Sequence, residues 1–100
     1  MLLEPSVPGE TDTLLRERMT IRGELEAFAT HEAVPNLMVD EEALARLEQL
    51  IAAMDAAERR PEEWREDNEE FHWTLYRAAG MPRLEEIINR LWVAVEPYLR

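Results

Sequence analysis

The chain has 100 residues, 46% of them hydrophobic and 33% charged, with 22 acidic against 11 basic residues and a net charge of -11. That length makes one domain with a modest core, the composition is globular rather than disordered, and the acidic field argues against direct contact with a phosphate backbone. Cysteine is absent, which excludes thiolate metal sites and a disulfide framework and fits a cytoplasmic origin; no apolar run approaches the roughly 20 residues that span a bilayer.

Residues 1–10, with Pro5, Pro8 and Gly9, read as a linker or extended arm. From Thr11 the pattern turns helical, with Thr11 or Asp12 as N-cap. Leu14, Ile21, Leu25 and Phe28 form one apolar ridge and Leu15, Met19 and Ala29 a second, which also carries Arg22 and Glu26. This helix is expected to fade at His31–Val34, because Pro35 disfavours a helical residue before it. After a connection at Val34–Val39, Asp40 reads as an N-cap, with Glu41 and Glu42 in a first turn that favours negative charge. Leu44, Leu47, Ile51 and Met54 mark a second amphipathic helix, expected to end near the basic pair Arg59–Arg60. Pro61 suits the first position of a third helix and Gly80 the residue just past its end. Pro82 opens a fourth, buried along Leu84, Ile87, Ile88, Leu91, Trp92 and Val95, with Pro97 ending it or tilting its last turn. Short connections predict sequential helices as antiparallel neighbours.

The third helix carries the informative stretch. Trp64, Asn68, Phe71, His72, Leu75 and Ala79 fall on one stripe, while Trp73 and Tyr76 fall off it and suggest a second packing surface. Asn68 and His72 are the polar members of that stripe, one turn apart, and they offer an oxygen and an imidazole nitrogen to one point. Two readings stand. In one, His72 is a core histidine bonded to a backbone carbonyl or water; in the other, the pair are metal ligands, as a mixed N/O set suits zinc, nickel, copper or iron. Two ligands fall short of the roughly four that close a site, and His31, the second histidine, reads as a surface residue at a helix end. Arg22 and Glu26 carry a similar pair of readings: a partly buried ion pair, or an arginine that receives a ligand carboxylate in bidentate fashion. No nucleophile, base and orienter fall into an arrangement, so the chain is read as a non-enzyme.

The run from Asn68 to Trp92 resembles the hallmark of the FCD domain, the all-helical C-terminal effector domain of FadR-type GntR transcription regulators. The matching residues are Asn68, Phe71, His72, Leu75, Ala78, Ala79, Gly80, Pro82 and Leu84, together with the Arg22, Leu25 and Glu26 pattern of the first helix. The resemblance implies a ligand-sensing and dimerising domain that binds a small carboxylate effector and a divalent metal, zinc or nickel, and controls a separate winged helix that grips DNA. It implies Asn68 and His72 as metal ligands. Asn68 is the neutral variant of a position that also holds aspartate, and the family's two further histidine ligands lie on helices absent from these residues. Residues 11–100 are therefore expected to form the N-terminal, incomplete part of an all-α, antiparallel FCD-like bundle of about four helices. Its metal site would be unfinished in one chain, Arg22 would anchor the effector, and the chain would form a homodimer, in one version by exchanging helices. With DNA gripped by the winged helix, the acidic chain itself is expected to make no direct DNA contact, and with no spanning apolar run it is expected to make no membrane contact. The alternative reading is a helical interaction and oligomerisation module without a ligand.

Overall fold

The computed structural model describes the backbone of residues 8–56 and 58–98 and the side chains of residues 12–56 and 58–98. Four helices follow one another: α1 (Pro8–Leu37), α2 (Glu41–Met54), α3 (Pro61–Ala78) and α4 (Pro82–Val95), with a 3-10 turn at Glu96–Tyr98 where Pro97 stops the last helix. The described residues hold no strand and are all-α. None of these helices is long and apolar enough to cross a membrane.

Local chemistry sets most boundaries. Asp40 accepts the Ala43 amide at 3.0 Å and caps α2 as expected. Pro61 and Pro82 occupy the first turns of α3 and α4, where a missing N–H costs nothing. The Glu63 carboxylate reaches back to the Arg60 amide at 3.3 Å and steadies the start of α3. Gly80 sits at φ 70° and donates its N–H to the Arg77 carbonyl at 3.0 Å, closing α3 in the left-handed conformation that glycine adopts freely.

Three boundaries differ from expectation, each for a stated reason. Helix α1 begins at Pro8, so Thr11 and Asp12 lie inside it and residues 8–10 are helical rather than part of an arm; residues 1–7 of that arm lie outside the described residues. Proline at a first helical position is well suited to start the helix. At its other end α1 runs through Pro35 to Leu37. Ala33 and Leu37 are buried in the core, and the Asn36 side chain donates to the Ala78 carbonyl at 2.6 Å. These contacts offset the lost helical bond, about 3 kcal/mol in a helix interior. Helix α2 stops at Met54, short of the basic pair, and Arg59 serves α3 instead: its guanidinium bonds Asp67 at 2.8 Å and Glu63 at 3.1 Å.

The core gathers on the small-residue face of α1. Ala29 and Ala33 are fully buried, and Tyr76, Ala79, Leu84 and Ile88 pack with them from α3 and α4, Leu47 from α2. Alanines let neighbouring helices approach closely. Helix α1 accordingly packs against α3 and α4, and α3 also against α2, whereas the sequential pairs α1/α2 and α3/α4 touch little. The large residues Leu14, Ile21 and Phe28, expected to share the buried side, stand on the surface. The molecule measures 49 × 34 × 20 Å: its length is that of α1, about 45 Å for 30 residues, and its thickness is two helices.

A methyl group added at Gly80 would meet only the Asn36 amide nitrogen, at 3.8 Å. Gly80→Ala is therefore expected to pay only the backbone cost of the left-handed conformation, lowering unfolding free energy by about 1–2 kcal/mol in urea titration.

Candidate functional site

Asn68 and His72 lie on the middle turns of α3, both half-buried rather than in bulk solvent. The His72 Nδ1 stands 2.7 Å from the Asn68 backbone carbonyl. A carbonyl only accepts, so Nδ1 carries the proton and donates it, and in the neutral ring Nε2 holds the lone pair. Such a bond fixes the tautomer and orientation of an imidazole that binds a metal through its other nitrogen; it is equally the bond of a structural histidine. Phe71 meets the ring edge-on at 5.5 Å between centroids. Among the described residues no group of three or more His, Cys, Asp or Glu converges to hold a metal ion. The described residues therefore complete no metal site around His72.

Arg22 and Glu26 sit on adjoining turns of α1, where it faces α3 and α4. The Arg22 side chain is only 16% exposed, and its Nε lies 3.7 Å from Glu26 Oε2, close enough for ion pairing but too far for a hydrogen bond. That Oε2 is already committed, because the Trp92 indole N–H donates to it at 2.6 Å across the α1–α4 contact. The guanidinium carbon stands 4.7 Å over the Trp92 ring. Arg22 thus has its charge balanced but not its donors: Nε and Nη1 are buried with no hydrogen-bond partner. Leaving such groups unsatisfied costs about 1–3 kcal/mol, more where they are charged. Tyr76, 3% exposed, completes the cluster from α3. Burial raises its hydroxyl pKa well above the ordinary 10.0; the charge of Glu26 and a hydrogen bond to it add to the rise, and Arg22 opposes it.

The family model for the FCD domain matches residues 17–100. The chain belongs to the FCD family. No curated protein and no solved structure gives a significant match. The FCD domain is the effector-binding, regulatory domain of GntR-family transcription regulators.

In this FCD domain the motif residues after His72 have visible structural duties. Ala79 and Leu84 are buried, Ala78 packs on the core and accepts from Asn36, Gly80 supplies the left-handed turn, and Pro82 begins α4. Sequence reasoning underrated two residues. Tyr76, placed off the main stripe, is the most buried side chain of α3. Trp92, read as ordinary core, is the partner of Glu26. A clue to the second was available, since a buried indole N–H needs an acceptor and Glu26 is an acidic residue on an apolar ridge. His31 is exposed as expected, although α1 continues past it.

Rings connect the two polar groups. His72 lies 6.1 Å from Tyr76, Tyr76 5.4 Å from Trp73, and Trp73 6.1 Å from Trp92, which underlies Arg22. Two open surface grooves of about 500 and 550 Å³ lie elsewhere, one lined by Trp73, Arg77, Pro82, Glu85, Glu86 and Asn89 and the other along α2; neither includes Arg22, Asn68 or His72.

Trp92→Phe keeps most of the ring and removes the donor to a carboxylate, so it should destabilise the fold by about 1.5–3 kcal/mol in denaturant titration. Tyr76 gives a pH signature. Its raised pKa means that the folded state holds the proton more tightly, so this contribution is complete below pH 10.0 and is lost as pH rises beyond it. The chain has no lysine or cysteine to add a titration in this range. Stability should fall above pH 10.0, and Tyr76→Phe should flatten that limb.

Proposed function

We propose that this FCD domain senses a small carboxylate effector, with Arg22 as its anchor, and that Asn68 and His72 contribute part of a divalent metal site, zinc or nickel, completed by donors outside the described residues. The observation that carries the reading is the buried Arg22 guanidinium whose Nε and Nη1 have no acceptor. A carboxylate is the ligand chemistry that satisfies such donors, and arginine holds it with defined geometry. The fixed Nδ1–H tautomer of His72 supports the metal reading by leaving Nε2 as a lone-pair donor. A bound metal would supply Lewis acidity and a second anchoring charge for the effector. Support for a shared site comes from the ring contacts that run from His72 through Tyr76 and Trp73 to Trp92, over which Arg22 lies. The domain also dimerises in this reading, and with a net charge of -11 it acts on DNA only through another domain.

The competing reading, a ligand-free interaction module, draws on the same His72 bond, because a structural histidine is satisfied by a backbone carbonyl. Ligand-linked stability separates the two. Zinc or nickel ions alone, and then a panel of short-chain mono- and dicarboxylates, are added in thermal melts. A productive ligand at a hundredfold excess over its Kd should stabilise by about 2.7 kcal/mol. Gains from metal should vanish in His72→Ala and gains from carboxylate in Arg22→Met. Melting curves indifferent to every ion and acid would establish the interaction module instead.

A further inference from the structure

Three large apolar residues of α1 repeat at seven-residue intervals and are nearly equally exposed: Leu14 47%, Ile21 43% and Phe28 45%. Leu25, partly buried, lies between the last two. Filling in the helical neighbours gives the series Leu14, Arg18, Ile21, Leu25, Phe28, Glu32, with spacings that alternate four and three. That alternation is the seam of a two-helix coiled coil. It runs for about 27 Å along α1 and borders the Ala29 and Ala33 face: the core takes up Leu25, while Leu14, Ile21 and Phe28 stay exposed beside it.

The charges on the seam specify what covers it. Arg18 stands near one end and Glu32 near the other, both half-buried, and neither has an ion-pair or hydrogen-bond partner among the described residues. A parallel copy of the same helix would set Arg18 against Arg18 and Glu32 against Glu32. An antiparallel copy brings each Arg18 within a turn of the opposite Glu32, and does so twice by symmetry, as an isologous interface requires. The net charge of -11 disfavours close approach of two copies in general, so a surface with its own sign complementarity is the one on which they meet at least cost.

We propose that the Leu14–Glu32 seam of α1 is the homodimer interface, with the two α1 helices antiparallel; this rests on the dimerisation in the functional reading above. Sedimentation equilibrium of the full chain tests it. The wild type is expected to dimerise, Ile21→Glu to be monomeric with unchanged helical circular dichroism, and Arg18→Glu to weaken the dimer about tenfold or more. The double swap Arg18→Glu with Glu32→Arg should restore it, a rescue that only the antiparallel arrangement provides. If the wild type stays monomeric at high concentration, the dimerisation reading itself fails. If the wild type dimerises and both Ile21→Glu and Arg18→Glu dimerise as tightly, dimerisation stands and this surface is refuted. Weakening by Arg18→Glu without rescue by the swap refutes the antiparallel pairing.

Discussion

A single carboxylate oxygen decides how this molecule is put together. Oε2 of Glu26 accepts the Trp92 indole N–H at 2.6 Å and so ties α4 to the middle of α1. Having spent its best geometry there, it stands 3.7 Å from Arg22 Nε and leaves the buried Nε and Nη1 without a hydrogen bond. Tyr76 lies against the same carboxylate from α3. Three helices therefore converge on one carboxylate beside a thin core of alanines and a few larger residues. Burying that charge is tolerable because an indole, a phenol and a guanidinium surround it. The arrangement stabilises the fold while keeping one strong donor group short of acceptors, a combination suited to a ligand site.

The rest of the architecture follows from which side chains are small. Ala29 and Ala33 admit α3 and α4 to close range, and this moves the large residues of α1 to its flank, where Leu14, Ile21 and Phe28 remain half in water. The helix is long, and its stability depends on tertiary contacts at the Leu37 end. Asn36 links that end to the last turn of α3, so the turn at Gly80 is pinned from both sides. The residues that make the family motif readable are those that build this turn and the packing beneath it.

The sequence revealed what local chemistry decides. Asp40, Pro61, Gly80 and Pro82 each act through their own backbone or capping side chain, and each boundary fell where those preferences put it. The pairing of Arg22 with Glu26 and the half-buried positions of Asn68 and His72 were legible because helical periodicity fixes neighbours one turn apart. Long-range competition was not legible. Pro35 argued for an early end to α1, yet contacts from α3 outweighed it. Arg59 looked like the end of one helix and belongs to the start of the next. The ridge of larger residues on α1 looked like the core side, and the alanine side won because packing distance, not hydrophobic bulk alone, selects the face. The bond from Trp92 to Glu26 spans 66 residues, beyond the reach of any periodic pattern.

The central claim is that Arg22 keeps donors in reserve because Glu26 is held by Trp92. The most direct test is the Nε–H resonance of Arg22 in nitrogen-15 NMR, assigned by its loss in Arg22→Met and followed while short-chain carboxylates are titrated. The account predicts a free-donor signal in the unliganded protein that moves downfield and slows in solvent exchange as a carboxylate binds, while the Trp92 indole proton stays hydrogen-bonded throughout. An Arg22 signal already coupled to Glu26 before any ligand is added, or one unmoved by every carboxylate, would contradict it.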